Sequence, residues 1–444
     1  CPDMPDFGED TGDILAVPLR GNRVDRFVWT GSALVFRQNL IKLRAFQNDG
    51  APVPSGQGDM DQGPAGNHDG GIIRFGPDGK LYIVIGDNGR RGWLQNLPSG
   101  PTPSGRPTVP DDQFGGPEPD DAHFTGVIIR LNPDGSIPSD NPFFAAGAAI
   151  GGEVGENIQK IFAYGIRNSF GMIFDPLSGA LWMSENGDDT FDEINRVFAG
   201  MNSGWIQIIG PVDRISQYKA IETAPEFFDL QQQRWPPTNI ANTPAEALSR
   251  LFVLPGSQFS NPQFSWNFAL APAAVGFLNS SALGPELQGD LFLGFSEAEP
   301  FGGPLFRFEL TGDRQEISFS DPRLADKVAD NEAKHDMTES ESLLFGKGFG
   351  IVTDIQTGPN GNLFIVSLSK GIVYEVRAVE NPPGDVNNDG EVTCADLVMV
   401  RASLGTRSGQ AGFNAEADVN SDGVVNVRDL AFVARLIPSG TTCS

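Results

Sequence analysis

The chain has 444 residues, and 31 Lys and Arg against 57 Asp and Glu give it a net charge of −26. That excess repels duplex nucleic acid and anionic membrane surfaces, while it suits calcium binding. Hydrophobic residues make up 39%, enough for a sizeable core, and 54 Gly with 34 Pro imply many turns between short strands. No run of 18 apolar residues is present, so no membrane-spanning helix is expected. The chain begins at Cys1, not Met, and carries no signal peptide, as expected of a processed, exported form.

Residues 13–36 contain two strand-like runs with polar turns between them. Residues 40–70 are rich in turn formers and end on Asn67-His68-Asp69-Gly70-Gly71. Pro77-Asp78-Gly79 then separates the apolar runs Ile72–Phe75 and Leu81–Ile85. Residues 95–121 read as a long Pro, Gly and Asp loop, a length that usually marks function or mobility. Val127–Leu131 begins another strand pair around the turn Asn132-Pro133-Asp134-Gly135.

The stretch Tyr164–Trp205 gathers the most chemistry. Met172–Phe174 and Ala180–Met183 flank the turn Asp175–Gly179, which predicts an antiparallel hairpin. Arg167-Asn168 precedes the hairpin, and Glu185, Asn186, Asp188, Asp189, Asp192 and Glu193 follow it. A guanidinium and several carboxylates at neighbouring strand ends meet at one mouth of a sheet-built fold. Such a mouth suits a cation and an oxygen-rich small molecule. The plainer alternative is that Arg167 pairs with one of these acids and does nothing else.

The strand–turn–strand unit recurs at 72–85, 127–138, 171–184, 283–295 and 351–376. Recurrence at this spacing predicts an all-β fold, a β-propeller of six blades over residues 1–376. Residues 377–384 read as a linker stiffened by Pro382-Pro383.

Residues 385–396 and 418–429 read DVNNDGEVTCAD and DVNSDGVVNVRD. Both have the spacing of an EF-hand-like calcium loop. Side-chain oxygens stand at loop positions 1, 3, 5, 9 and 12, glycine at 6, and a main-chain carbonyl is due at 7. In the first loop these are Asp385, Asn387, Asp389, Thr393 and Asp396, with Gly390 and the carbonyl of Glu391. In the second they are Asp418, Asn420, Asp422, Asn426 and Asp429, with Gly423 and the carbonyl of Val424. A helix is predicted after each, from Leu397, Val400 and Leu404 and from Leu430, Val433 and Leu436. The three cysteines are Cys1, Cys394 and Cys443. Cys394 and Cys443 pair if the ends of this segment meet. Cys1 is then a lipid-modified N-terminus, an intermolecular disulfide partner, or simply the first residue after cleavage.

This last segment resembles a type I dockerin module, a small α-helical domain with two calcium ions, placed here at 385–444. The resemblance implies a cohesin on another protein as partner, an extracellular or cell-surface location (or the periplasm), and chain ends close enough for a Cys394–Cys443 clasp. Partner-selecting positions in the family hold hydroxyl pairs; here they are Cys394-Ala395 and Val427-Arg428.

Residues 67–210 resemble the soluble quinoprotein glucose dehydrogenases, also called aldose or sorbosone sugar dehydrogenases. The segments that carry this are NHDGGIIRFGPDGKLYIVIGDNG, GVIIRLNPDGSIPSDNPF, YGIRNSFGMIFDP, SENGDDTFDEINRV and GMNSGW. That family is a six-bladed propeller that oxidises the C1 hydroxyl of aldoses with pyrroloquinoline quinone and calcium. The resemblance makes His68 the general base, Arg167 and Asn168 the partners of the quinone oxygens, Gly187 and Asp188 the main-chain calcium site, and Asp192 and Glu193 the acids just beyond it. Read without the resemblance, His68 beside glycines is a structural loop residue. The later part departs from the pattern. Where the family clamps the quinone carboxylates with two arginines, this chain has Ile351 and Thr353; where it has a lysine, the stretch holds Glu297 and Glu299. Two readings follow: an exported, dockerin-bearing sugar dehydrogenase, or a non-catalytic propeller that binds or scaffolds within an extracellular assembly. A calcium-centred lactonase is a weaker third.

Overall fold

The computed structural model describes residues 22–43, 68–87, 96, 126–224, 240–296, 302–378, 382–438 and 440–443. Cys1, Asn67, the 95–121 loop apart from Asn96, Glu297 and Glu299 lie outside the described residues. The chain divides into two compact units, one of Cys1–Ser281 with Pro285–Val376, the other of Ala282–Gly284 with Arg377–Ser444.

The first unit is mostly β. Asn22–Trp29 and Leu34–Leu43 form an antiparallel hairpin. A six-stranded sheet runs in the order Gln258–Phe259, Met201–Asn202, Ile161–Tyr164, Val127–Leu131, Leu81–Ile85, Ile73–Phe75. A five-stranded sheet orders Val328–Ala329, Phe264–Phe268, Thr190–Val197, Leu181–Glu185, Gly171–Phe174. In the next, Pro272–Phe277, Leu291–Phe295, Leu305–Leu310 and Ile317–Ser318 follow in order, with Leu344–Gly346 also on Leu305–Leu310. The last is the meander Val352–Thr357, Leu363–Ser367, Ile372–Val376.

The two-residue period of a strand explains how these sheets stack. In the six-stranded sheet, Ile83, Ile85, Val127 and Ile129 enter one core cluster. The alternate residues Tyr82, Val84 and Ile128 enter another, shared with Met172, Leu181 and Met183 of the next sheet. That sheet's opposite face sends Trp182, Ile194 and Trp266 against Val275, Leu293, Phe295 and Phe306 of the third. Each inner sheet is therefore apolar on both faces, as face-to-face packing requires. Glycine sets the last approach: a Cβ on Gly276 would lie 2.4 Å from the carbonyl oxygen of Ile355, and one on Gly294 2.4 Å from Cβ of Val352.

The predicted hairpin at 171–184 forms, Gly171–Phe174 against Leu181–Glu185, its turn closed by Gly179 N–H donating to Asp175 C=O at 2.8 Å. Two predicted units pair differently. The turn at 132–135 closes, but the chain then enters the helices Phe144–Ile150 and Gly152–Lys160, and Val127–Leu131 pairs instead with Leu81–Ile85. Pro138 and Pro142 leave too few backbone donors there for a returning strand. Residues 285–287 are a 3-10 turn, so Leu291–Phe295 takes the upstream strand Pro272–Phe277 as its partner.

The second unit packs the helices Cys394–Ala402 and Val427–Leu436 over Val386, Leu397, Val400, Ala417, Val425 and Val433. Leu404 lies beyond the first helix and is exposed, as is Leu436, so neither helix buries the full predicted stripe. Cys394 and Cys443 are joined by a disulfide.

Candidate functional site

His68 stands just ahead of the strand Ile73–Phe75 in a left-handed conformation, φ 56°. Its Nδ1 lies 2.6 Å from Oδ1 of Asp87, and the other carboxylate oxygen of Asp87 accepts from Trp205 Nε1 at 2.9 Å. A carboxylate only accepts, so Nδ1 carries the proton and the ring's lone pair is on Nε2. Asp69, the sequence neighbour, does not hold the ring; Asp87 does. Gly86 makes the approach possible. A Cβ there would lie 2.4 Å from the His68 carbonyl and 2.7 Å from that of Arg167. The Asp87 N–H donates to the same Arg167 carbonyl at 2.8 Å, so the histidine and arginine segments are tied together.

Arg167 is buried. Its guanidinium donates to the Asn186 carbonyl at 3.0 Å and to Oδ1 of Asp188 at 2.8 Å, and lies over the Trp205 ring, 5.6 Å from the centroid. Burial works against its charge, and Asp188, Asp87, Asp192 and Glu222 outweigh burial and raise its pKa. The ion pair foreseen as the plain alternative is thus formed. Asn168 is buried beside it, with no partner for its side-chain oxygen.

Asp192 and Glu193 are anchored by the chain itself. Asp192 accepts from the amides of Gly187 at 2.7 Å and of Leu270 and Ala271 at 2.6 Å each. Glu193 accepts from Gly210 N–H at 2.5 Å and from Asn195 Nδ2 at 2.7 Å. The same Asn195 amide reaches Glu185 at 3.1 Å. Burial pushes the Glu193 carboxyl up to about 7, and burial and then Glu193 push Glu185 well above the usual range. Asp192 and Glu193 are thus engaged by main-chain amides, while Asp189 in the same stretch keeps one buried carboxylate oxygen without a hydrogen-bond partner. Among the described residues of the first unit, no group of three or more His, Cys, Asp or Glu side chains is arranged to hold a metal.

Lys334 and Glu222 went unnoticed in the sequence. Lys334 pairs with Asp189, and Glu222 accepts from the Asp189 N–H at 3.4 Å. Burial first, and Arg167 with it, hold the Lys334 pKa below the ordinary lysine value, against Asp188. Lys334 lies in a stretch without helical or strand periodicity, so only contact with Asp189 identifies it. At the clamp positions, Thr353 is exposed and Ile351 half-buried.

The two calcium-type loops have matching geometry. Oδ2 of Asp385 accepts from Gly390 N–H at 2.7 Å, and Oδ2 of Asp418 from Gly423 N–H at 2.7 Å. Asn387 and Asn420 each accept from the amide of the position-5 aspartate, Asp389 and Asp422, at 3.0 Å. Those aspartates accept from Glu391 and Val424 amides, both at 3.0 Å. Asp396 and Asp429 close the loops onto Asn387 and Asn420 N–H at 3.0 and 3.3 Å. Thr393 and Asn426 cap the following helices. The donor set is hard oxygen throughout, with glycine at φ 90° and 80° where the loops turn, and it fits calcium.

Parts of the chain are similar to known proteins. Residues 58–236 match the Glucose / Sorbosone dehydrogenase family model, and residues 383–437 the Dockerin type I domain. The chain is 26% identical over 302 residues to aldose sugar dehydrogenase YliI of Escherichia coli, covering 68% of this chain and 57% of that protein. It is 37% identical over 149 residues to quinoprotein glucose dehydrogenase B of Acinetobacter calcoaceticus, covering 33% of this chain and 27% of that one. The crystal structure of the soluble aldose sugar dehydrogenase from Escherichia coli aligns over 74% of this chain and 65% of its own, with 23% identity and a TM-score of 0.42. The chain spans little more than half the length of the first curated relative and about a quarter of the second. Over residues 58–236 this chain is similar to the glucose and sorbosone dehydrogenases, and over 383–437 it carries a dockerin type I domain.

Proposed function

We propose that residues 1–376 form a six-bladed propeller that binds an aldose with its C1 hydroxyl on His68, and that the dockerin at 385–444, joined by the linker 377–384, ties it to a cohesin in an extracellular or cell-surface assembly. The observation that carries this is the chain Trp205–Asp87–His68, which fixes the imidazole and leaves the basic lone pair on Nε2. A hydroxyl is the natural donor to that nitrogen. The buried oxygens of Asn168 and Asn186, which lack partners, call for donors of the same kind. Each dockerin loop takes one calcium.

The quinone is a different matter. Pyrroloquinoline quinone carries three carboxylates. Among the described residues, Arg167 is already paired with Asp188, and Lys334 with Asp189. The unpartnered buried oxygens of Asn168, Asn186, Asp189 and Glu222 are acceptors; His335 Nδ1, next to Lys334, is unpartnered as well. These groups do not fit a tricarboxylate, and a binding or scaffolding propeller is the reading they favour. Oxidation of the sugar with pyrroloquinoline quinone and calcium is the second reading, supported by the placement of Arg167-Asn168 next to the histidine.

Isothermal titration separates them. Glucose titrated into the calcium-loaded full chain is expected to bind, with 1-deoxyglucose and the His68→Ala variant each weaker by about tenfold, the worth of one good hydrogen bond. Equal affinity for all three sinks the assignment of His68. Tight binding of the quinone, with dye-linked aldose turnover that His68→Ala abolishes, establishes the second reading in place of the first.

A further inference from the structure

The two calcium-type loops of the second unit are braced in different ways. Among their ligand positions both place carboxylates at 1, 5 and 12, so ligand charge does not separate them. Affinity in such loops also follows rigidity. The second loop is strapped by the segment between the helices. Gly405 N–H donates to the Val425 carbonyl at 2.8 Å, Val425 N–H to the Thr406 carbonyl at 3.0 Å, and Ser408 N–H to the Gly423 carbonyl at 2.9 Å. Arg407 and Val424 pair as an antiparallel bridge. Among the described residues, no such bridge reaches Gly390, Glu391 and Val392, the same positions of the first loop.

The first loop has the disulfide instead. Cys394 is its position 10, between Thr393 at position 9 and Asp396 at position 12. Asp396 is buried and closes the loop on itself. Its carboxylate accepts from Val386 N–H at 2.7 Å, Asn387 N–H at 3.0 Å and Thr393 N–H at 2.7 Å. Beyond the second helix, Thr441 N–H donates to the Pro438 carbonyl at 3.2 Å, and the chain places Cys443 against the apolar core of this unit. The bond from Cys443 therefore holds the short segment that carries the last two ligand positions of the first loop. Position 10 of the second loop is Val427, an exposed residue that can form no such bond.

We infer that the Cys394–Cys443 disulfide is a redox control on calcium at the first loop alone. It holds positions 9 to 12 ready to ligate. Its reduction weakens the first loop, while the second, strapped by Gly405–Ser408, keeps its affinity. The inference rests on the reading that each loop takes one calcium. Surroundings that oxidise thiols then favour the fully loaded module, and reducing ones leave it half loaded.

The test titrates calcium alone, by calorimetry, into the full chain carrying Cys1→Ser, which keeps only these two cysteines. Adding Asp418→Ala isolates the first loop, and adding Asp385→Ala the second. Each chain is measured oxidised and after dithiothreitol, which passes two electrons and two protons to the Sγ–Sγ bond, closes to its own cyclic disulfide and leaves two thiols. In Asp418→Ala, reduction should weaken calcium about tenfold, the worth of fixing one residue beforehand. In Asp385→Ala the change should stay within about twofold. Linkage gives a second readout. In a buffer of reduced and oxidised dithiothreitol, saturating calcium should shift Asp418→Ala toward the disulfide by the same factor of about ten and leave Asp385→Ala unmoved. Should an aspartate variant fail to fold, the chain with both loops intact decides: on reduction one of its two binding steps should weaken and the other hold. Equal weakening of both loops, or no weakening of the first, overturns the inference. Absence of calcium binding at either loop of the oxidised chain overturns the calcium reading itself.

Discussion

At the scale of single residues, partnership decides what each group can do. His68 is singled out by the family resemblance, but its partner is not. Asp87 reaches it because Gly86 lets two chain segments approach more closely than any side chain permits. Asp87→Asn should replace an obligate acceptor by an amide that can also donate, and let the imidazole turn or change tautomer. Calorimetry is expected to show glucose affinity falling about as far as in His68→Ala while the melting midpoint stays. Unchanged affinity would mean that the ring is held by other contacts. Away from the site, Asp175 is a buried acid held by Arg314 through two hydrogen bonds, at 2.5 and 2.8 Å. Burial alone would raise its pKa; Arg314, Ser178 and the Leu177 amide outweigh burial and lower it. A depressed folded pKa contributes stability that is present above the unfolded value, about 3.9, and is lost as pH falls through the folded value. Asp175→Asn should cost about 3–5 kcal/mol at pH 7 by leaving Arg314 unpaired, and should flatten the acid limb of the melting curve. A parallel shift of the whole curve would show that the ion pair is not the source.

At the scale of elements, close approach between sheets and closure of the calcium loops carry the organisation. Gly276→Ala would force a methyl against Ile355 at 2.4 Å, and should destabilise the first unit by about 1–3 kcal/mol in denaturant titration, with the slope unchanged. In the second unit, Gly423 has open space around it, so its strain is purely conformational at φ 80°. Gly423→Ala is expected to cost about 1–2 kcal/mol and to weaken calcium at the second loop only; equal weakening of both loops would show that they bind as one unit. The disulfide spans a sequence separation of 49, and the loop-entropy estimate for such a closure is about 4 kcal/mol. Reduction with dithiothreitol should therefore lower the melting point of the helical unit and spare the β signal. The loops and helices were readable because an EF-hand-like loop is a local code, with every ligand within twelve residues. Strand partners were less so. Leu291–Phe295 takes a partner upstream because Pro285 and the tight turn after it exclude a strand.

At the scale of the whole molecule, two compact units with different chemistry should respond separately. Chelator is expected to lower the helical transition and leave the β transition in place by calorimetry, because both calcium-type loops lie in the second unit while apolar faces hold the sheets of the first. A β transition that falls equally would place a structural ion in the first unit. Composition, periodicity and the two loop motifs are local or additive properties, and these alone pointed to a β-rich front, a helical calcium-type module and an acidic chain; the family resemblance pointed to His68 and Arg167. Pairing across distance is a property of register and packing. Only the tertiary structure decided that Arg167 is neutralised by Asp188, that Asp192 is locked by three amides, and that Lys334, 145 positions beyond Asp189, closes on it. The reason is physical: a buried charge takes whichever opposite charge the fold delivers, and no spacing in the sequence records which one that is.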